Sequence, residues 1–295
     1  MIPSKFLILA NASKDPEGKE IRRIGRYLKE KGAQVWILAE PDGGVPKGAE
    51  EIPVMRQDQD VQNMDMAIIL GGDGTMLSSA RRLHRYNVPL LGINLGHLGF
   101  LTGSEKEDCE QVLDQVLAGN FRQEERVMLN GRIVRGDSTQ EFSGLNDAVI
   151  TRGAFSRMLS IAVEVNGSLM DYIQADGMIV ATPTGSTGYN LSAGGPIVVP
   201  YARAILMPPI CPRSLSMRSI VIPEEDEICF WVTKETMGQQ TPELMLTVDG
   251  QEGYPIAPED RVYIGVDPVR IRLVRIEDRT FFDTLRKKLF KEEGQ

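Results

Sequence analysis

The chain has 295 residues, of which 42% are hydrophobic, and its formal net charge at pH 7 is -8. This hydrophobic share is enough to build a sizeable core in two ordinary domains. The acidic balance argues against broad binding to nucleic acid or to anionic membranes, because a negatively charged surface repels phosphate backbones.

Targeting segments and metal motifs are not evident in the sequence. No apolar run approaches the roughly 20 residues that span a bilayer, and the apolar stretch near the N terminus is too short for a signal peptide. We therefore expect a cytoplasmic protein with no membrane or nucleic-acid partner. The cysteines Cys109, Cys211 and Cys229 are odd in number and widely spaced, which favours reduced, buried thiols over disulfides. We predict no structural metal.

The first third of the chain alternates short apolar runs with helical patterns, which is typical of α/β folds. A helix is predicted after the first strand, with Asp15 as its cap, Pro16 in its first turn and Gly32 after its end. Residues 40–59 are rich in Pro, Gly and charge, which predicts a surface loop. The remaining predicted elements of this open, mostly parallel sheet are strands at 6–9, 35–38, 66–70 and 89–93 and helices at 75–86 and 105–117.

From about residue 127 the pattern changes to short β-rich runs separated by turns. Predicted strands lie at 132–134, 148–150, 161–165 and 178–180. The sequence therefore predicts a second, mainly β domain. Apolar residues return at helical spacing in 281–290, and we expect this segment to form a helix that packs on the first domain.

Residues 71–75, Gly-Gly-Asp-Gly-Thr, directly follow a predicted strand and open a helix. Glycines let backbone N–H groups approach an anion, Thr75 can cap the helix, and a helix N terminus favours phosphate. Asp73 would repel phosphate unless it binds magnesium or accepts a proton from an attacking hydroxyl. For an isolated motif, the alternative is that Asp73 only caps the helix. The loop fits neither the Walker pattern nor the dinucleotide-binding fingerprint.

Residues 92–101 contain three glycines at the end of the next predicted strand, and these bring the backbone close to the same crevice. We favour a tight turn over a ligand role for His97, since no second histidine or carboxylate lies at ligand spacing.

Two further motifs lie in the β-rich part of the chain. Asn146 and Asp147 offer an amide and a carboxylate suited to ribose hydroxyls, or they form an ordinary turn. Residues 176–196 combine small hydroxyl residues, glycines and Tyr189, a possible stacking face for adenine. The alternative for this stretch is a flexible connector, which the flanking strand and prolines disfavour.

Taken together, these motifs resemble the NAD kinase family over nearly the whole chain. The Gly-Gly-Asp-Gly-Thr loop alone is weak evidence for this family, because lipid kinases and phosphofructokinases carry similar loops. The resemblance implies a Rossmann-like domain at 1–125, joined by a C-terminal helix at 276–295, and a β-rich NAD-binding domain at 126–275. It also implies transfer of a phosphoryl group from ATP, with a divalent metal ion (Mg), to the adenosine-ribose 2′-hydroxyl of NAD. A homodimer or homotetramer is expected.

The resemblance further implies roles for individual residues. Asp73 is the expected general base, within a phosphate loop that comprises Gly71, Gly72, Gly74 and Thr75. The expected NAD-binding residues are Asp73, Gly74, Asn146, Asp147, Arg157, Gln174, Asp176, Thr187, Gly188, Tyr189, Asn190, Leu191, Ser192 and Gln251.

Two positions depart from the family pattern. Position 188 is commonly Ala in the family and is Gly here, and Arg213 stands where the family usually has His. The role of Arg213 is therefore open.

Two rival functions remain at the level of sequence. A lipid kinase would need an apolar acyl pocket, which the acidic charge and the hydroxyl-rich loop disfavour. A sensor that binds NADP without turnover would not need Asp73. The sequence does not distinguish ATP from polyphosphate as donor or NAD from NADH as acceptor, and it says nothing about allosteric effectors.

Overall fold

The computed structural model describes residues 2–96, 99–153, 158–233, 243–276 and 280–289. The chain divides into two units, residues 1–125 together with 270–295, and residues 126–269. The first unit is α/β and the second is mainly β, which confirms the predicted fold class.

Buried aliphatic runs form the sheet of the first unit. The fourth strand, for example, is buried along its whole length, as expected for a strand covered on both faces. The strands are β1 Lys5–Ala10, β2 Gln34–Leu38, β3 Val54–Met55, β4 Met66–Gly71, β5 Leu90–Asn94, β6 Ser104–Glu105, β7 Arg122–Arg126 and β21 Ile271–Arg275. Their order is β3-β2-β1-β4-β5-β21-β7, with β6 beside β5. Strands β1 to β5 pair in parallel in the order β3-β2-β1-β4-β5, which is the Rossmann arrangement.

Four helices accompany this sheet in the described residues: α1 Lys19–Glu30, α2 Asp73–Leu83, α3 Cys109–Leu117 and α5 Phe281–Leu289. The apolar residues of α1, Ile21, Ile24 and Leu28, are buried in the core. The helix begins at Lys19, later than predicted, so Pro16 lies outside it. Asp15 nevertheless caps it, because its carboxylate accepts the N–H groups of the first three helical residues at 2.8 to 3.1 Å.

The second unit contains two antiparallel sheets. One has the order β16-β14-β13-β10-β18-β19, with β15 beside β13, and the other has the order β12-β11-β17-β20-β8-β9. The strands of the first are β10 Asp147–Arg152, β13 Gly177–Ala181, β14 Ala204–Met207, β15 Pro209–Ile210, β16 Ile220–Pro223, β18 Leu244–Val248 and β19 Glu252–Ile256. Those of the second are β8 Leu129–Arg135, β9 Ser138–Gly144, β11 Leu159–Val165, β12 Ser168–Ala175, β17 Ile228–Val232 and β20 Arg261–Val266.

Side chains of both sheets share one core. Ile150 and Met178 of one sheet belong to the same buried cluster as Ile161 and Phe230 of the other. The two sheets therefore pack face to face around apolar side chains.

Several sequence predictions need correction. Residues 270–275 were expected in the second domain, but they belong to the first unit, where β21 pairs with β5. An apolar pattern of five residues does not reveal which sheet will accept the strand. The predicted loop at 40–59 contains β3, which extends the edge of the sheet next to β2. All three thiols were expected to be buried. Cys109 and Cys229 are buried, whereas Cys211 is exposed. No helix in the described part of the chain is both long and apolar enough to cross a membrane.

Candidate functional site

The carboxyl ends of β1, β4 and β5 lie at one edge of the first sheet. Strand pairing places Ala10 opposite Leu70 and Gly71 opposite Asn94. Because α2 begins at Asp73, just after β4, its N-terminal N–H groups lie at this edge. Ligands of open α/β sheets bind at such strand ends.

Asp73 is half-buried, and both of its carboxylate oxygens are held by backbone amides. Phe100 N–H donates to Oδ2 at 2.8 Å, and Leu101 N–H donates to Oδ1 at 3.0 Å. A Cβ atom on Gly99, the third glycine of residues 92–101, would overlap this carboxylate. The Asp73 side chain therefore fits only because position 99 has no side chain. Each oxygen keeps further acceptor capacity, because a carboxylate oxygen can accept more than one hydrogen bond.

Thr75 stabilises the glycine-rich loop of residues 71–74 from inside. It lies in the first turn of α2 rather than at the cap position, and its hydroxyl accepts Gly72 N–H at 3.4 Å and Asn11 Nδ2–H at 3.3 Å. A Cβ on Gly71 would overlap the Thr75 hydroxyl. Its side chain thus supports the loop, while Gly74 is exposed at the helix start.

Lys14 is a candidate residue that sequence reasoning missed. Its ammonium lies 2.9 Å from the position that a Cβ on Gly72 would take and 3.4 Å from the corresponding position on Gly96. Beside it, Asn94 is only 1% exposed, and its Nδ2 has no hydrogen-bond partner within the described ranges. The sequence could have identified Lys14 by its position shortly after the first strand, because the carboxyl end of that strand lies at the same edge of the sheet as the glycine-rich loop.

In the second unit, Asn146 and Asp147 lie where β10 begins. Asp249, in the turn between β18 and β19, accepts the N–H groups of Leu145, Asn146 and Asp147 at 3.0, 2.7 and 3.2 Å. Sequence reasoning missed Asp249, because more than a hundred residues separate it from these partners. Gln251 lies in the same turn and is exposed.

The stretch from 182 to 192 is fixed against Asn146. Thr182 donates its hydroxyl to Leu145 O at 2.6 Å and its N–H to Asn146 O at 2.9 Å. A Cβ on Gly185 would overlap the Asn146 backbone, whereas one on Gly188 would lie 3.5 Å from Asn146 Nδ2 and 3.7 Å from Asp147 Oδ2. This stretch is therefore an ordered loop over the Asn146 and Asp147 side chains, and the flexible-connector interpretation is wrong.

The side chains beneath this loop are polar, and some of their oxygen atoms have no hydrogen-bond partner among the described residues. Burial raises the pKa of Asp147 from its ordinary value of 3.8 to about 7, and the nearby Asp249 carboxylate adds to the rise. Asn146 Oδ1 and Thr184 Oγ1 are buried and have no partner among the described residues. Such groups are suited to a ligand that brings hydroxyls of its own.

The loop residues after Thr184 differ in accessibility. Tyr189 opens the short helix α4, Tyr189–Ser192, and is 44% exposed, so a face of its ring is open to stacking. Thr187, Gly188 and Leu191 are half-buried and Ser192 is exposed. Asn190 is fully buried, and its amide donates to Ser186 O and Pro196 O at 2.9 Å each, while its role as a ligand contact stays a prediction. It holds the loop in shape.

Other predicted site residues lie elsewhere. Asp176 precedes β13 and forms an ion pair with Arg152 at 2.9 Å. This is the end of the β10–β13 pair opposite to Asp147, roughly 16 Å away along the strand. Gln174 lies on β12 of the other sheet, where its side chain accepts Arg213 Nη1–H at 3.1 Å. The structure therefore does not bring Asp176 or Gln174 to Asn146, while Arg157 and His97 lie outside the described residues.

No cluster of three or more His, Cys, Asp or Glu side chains in the described part of the chain is arranged to hold a metal ion.

Comparisons with known proteins match both units. A family model described as the ATP-NAD kinase N-terminal domain matches residues 10–121, and one described as the ATP-NAD kinase C-terminal domain matches residues 145–276. A protein of Symbiobacterium thermophilum named NAD kinase is 40% identical over 293 residues, with 97% of this chain and 98% of the relative covered. One from Moorella thermoacetica, also named NAD kinase, is 40% identical over 290 residues, with 97% and 89% covered.

Solved structures of similar fold carry related names. The crystal structure of yeast NADH kinase complexed with NADH has a TM-score of 0.81 and 25% identity, and covers 99% of this chain and 89% of its own. The NAD kinase from Archaeoglobus fulgidus in complex with ATP has a TM-score of 0.71 and 25% identity, with 96% and 97% covered.

Proposed function

Since this chain belongs to the NAD kinase family, as its motifs predict, we propose that it transfers the γ-phosphoryl group of ATP to the adenosine-ribose 2′-hydroxyl of NAD. The products are NADP and ADP. Two neighbours in fold, solved with NADH and with ATP, support a dinucleotide and a nucleoside triphosphate as the two substrates. The observation that carries the proposal is the Asp73 carboxylate, held at the start of α2 by two backbone amides.

In the proposed reaction, the ribose oxygen attacks the γ-phosphorus in line with the bond to the β-phosphate oxygen. The new P–O bond forms as the old one breaks, ADP leaves, and the hydroxyl proton passes to Asp73. Magnesium enters bound to the triphosphate as part of the substrate and neutralises charge on it. The protein contributes positioning and charge stabilisation, which carry most of the acceleration in this reaction class.

The edge of the first sheet is suited to the phosphates of the donor. The helix N terminus and the glycines of residues 71–74 offer backbone N–H groups to an anion. The Lys14 ammonium beside Gly72 and Gly96 adds a positive charge. We assign Lys14 to the phosphates for this reason.

The second unit supplies groups suited to the adenosine part of NAD. Asn146 and Asp147 are proposed to bind the ribose hydroxyls, and Tyr189 to stack on the adenine. A lipid acceptor would leave the buried Asn146 Oδ1 and Thr184 Oγ1 without partners, at a cost of roughly 1–3 kcal/mol for each.

The test is a steady-state assay of purified protein with ATP, magnesium and NAD, in which NADP is detected by glucose-6-phosphate dehydrogenase. Wild-type protein should form NADP and should not phosphorylate diacylglycerol or sphingoid bases. Asp73→Asn should lower kcat by roughly 10² or more while NAD affinity stays within a few-fold, because it removes the proton acceptor and one of the two oxygens that accept the Phe100 and Leu101 amides. Asp137→Asn, at an exposed position, is the matched control.

Lipid phosphorylation without NADP formation would overturn the proposed function. Dinucleotide binding without turnover in the wild type would indicate a sensor. Wild-type turnover in Asp73→Asn would remove Asp73 from the chemistry.

A further inference from the structure

The segment that holds Asp73 is itself held from its other side. Phe100 and Leu101 donate their N–H groups to the Asp73 carboxylate. The carbonyl oxygens of the same two residues accept hydrogen bonds from Arg275: Nη2 donates to Phe100 O at 3.2 Å and Nη1 donates to Leu101 O at 3.0 Å. One guanidinium thus fixes both residues that orient the carboxylate.

Arg275 is well placed to be rigid. It is the last residue of β21, which lies between β5 and β7 in the sheet, and its side chain is only 12% exposed. Its Nε pairs with Glu124 of β7 at 3.2 Å. Because the guanidinium is planar and its donors form a fixed fork, the Glu124 contact also fixes the direction of the two Nη donors.

The opposite side of Phe100 is covered by α5. The Phe281 ring centroid lies 6.2 Å from that of Phe100, and the Lys288 ammonium lies 4.8 Å from the Phe100 ring centroid. Within the segment, Gly99 N–H donates to the Thr102 hydroxyl at 3.2 Å. Leu101 is also buried, and Gly103 N–H donates to Gly92 O at 3.0 Å just beyond it. Arg275 adds the two hydrogen bonds to the carbonyl oxygens of Phe100 and Leu101, the residues whose amides donate to Asp73.

We propose that Arg275 is a positioning residue for phosphoryl transfer, which acts by holding Phe100 and Leu101 so that their amides fix the Asp73 carboxylate. The role rests on the proposed function, in which Asp73 accepts the proton. Arg275 itself does not contact substrate in this scheme. A displacement of about 1 Å at a reacting group can cost roughly 10² in rate, so the loss of this support should be visible in kcat.

The first experiment compares variants of two arginines on the same strand. Arg275→Met should lower kcat by roughly 10- to 100-fold and leave the KM for NAD within threefold, since the substrate-binding groups are unchanged. Arg275→Lys keeps the charge beside Glu124 but not the fork, and should give an intermediate kcat with a near-native melting temperature. Arg272→Met is the control, because the Arg272 guanidinium contacts Gln123 and Asn87 instead, and its kcat should stay within twofold.

The second experiment tests whether Arg275 acts through Asp73. In the Asp73→Asn background, Arg275→Met should cause no further loss of rate, measured in single turnovers with enzyme in excess. If the loss persists in that background, or if kcat falls and the KM for NAD rises along with a lowered melting temperature in both Arg275 variants, the positioning role is overturned. If Asp73→Asn itself turns over like wild type, the assignment of Asp73 as the base in the proposed function is wrong. This result is distinguishable from the two results that overturn the role of Arg275, because it does not involve an Arg275 variant.

Discussion

Asp147 has an environment very different from that of an exposed carboxylate. It is buried at the start of β10, and the carboxylate of Asp249 lies nearby. Burial and this like charge both disfavour the ionised form. A carboxyl group kept protonated near neutral pH can donate a hydrogen bond as well as accept one, which suits a ribose hydroxyl.

The raised pKa of Asp147 predicts a specific pH dependence of stability. Between the ordinary value of 3.8 and the folded value of about 7, the folded chain keeps a proton that the unfolded chain releases. The contribution of Asp147 to the free energy of unfolding therefore falls as pH rises through this range and stays low above pH 7. Asp147→Asn cannot ionise, so we expect it to gain about 2–4 kcal/mol over wild type at pH 8 and little at pH 4.

Urea unfolding of the ligand-free protein at several pH values would measure this difference. The exposed Asp137→Asn serves as control and should follow wild type. If the stability of Asp147→Asn parallels wild type at every pH, the carboxyl group titrates normally.

Lys14 supports a second prediction at the scale of single residues. If its ammonium binds the donor phosphates, Lys14→Met should raise the KM for ATP by roughly tenfold, which corresponds to about 1.4 kcal/mol, and leave the KM for NAD unchanged. Lys19→Met, which removes an ammonium paired with Glu17 at the surface, is the matched control. An unchanged KM for ATP would place Lys14 outside the phosphate site.

At the scale of elements, the loop between β13 and α4 contains two glycines, Gly185 and Gly188, that differ in the room they leave for a Cβ atom. A Cβ on Gly188 would lie 3.3 Å from Gly185 O and farther from other atoms, at a φ of -95° that any residue adopts. A Cβ on Gly185 would overlap the Asn146 backbone. The common Ala of the family thus requires only a small shift of the Gly185 carbonyl at position 188, whereas at position 185 it overlaps backbone atoms.

We therefore expect opposite results from the same substitution at the two positions. Gly188→Ala should keep NAD affinity and gain up to about 1 kcal/mol of stability, because the unfolded chain loses freedom. Gly185→Ala should lose roughly 1–3 kcal/mol through overpacking and weaken NAD binding, because the loop must move away from Asn146. Thermal unfolding and calorimetric titration with NAD would measure both. Equal behaviour of the two variants would contradict the described packing.

Much of this architecture is predictable from local pattern. The apolar runs predict the central strands, and Gly-Gly-Asp-Gly-Thr predicts the start of α2 at the sheet edge. Contacts between distant parts of the chain are not predictable in this way. Asp249 supports Asn146 through strand pairing, Arg275 reaches Phe100 across the sheet, and Asp176 lies at the far end of the strand that leads to the loop. Motif order along the chain does not show which end of a strand a residue occupies.

At the scale of the whole molecule, the second unit is inserted within the chain of the first. Residues 126–269 separate β7 from β21, although these two strands are neighbours in one sheet. Each unit has a buried core of its own. The second unit is therefore continuous in sequence, whereas the first requires its C-terminal part.

This arrangement predicts unequal folding of fragments. Residues 126–269 alone should show cooperative unfolding and a β-rich circular dichroism spectrum. Residues 1–125 alone lack β21, which leaves β5 unpaired at Leu90 and separates β7 from the sheet, so they should unfold non-cooperatively or aggregate. Joining 1–125 to 270–295 through a short glycine-rich linker should restore cooperative unfolding. A cooperative transition in 1–125 alone would show that β21 is dispensable.

The placement of Arg275 on β21 also has a consequence for biosynthesis. A ribosome releases the Asp73 loop early, then the whole inserted unit, and only afterwards the strand that carries Arg275. If Arg275 acts as proposed, a nascent chain contains its proton acceptor long before that group is held in its working direction. Chains that terminate before β21 would then transfer phosphate at most slowly, even where their N-terminal part has folded.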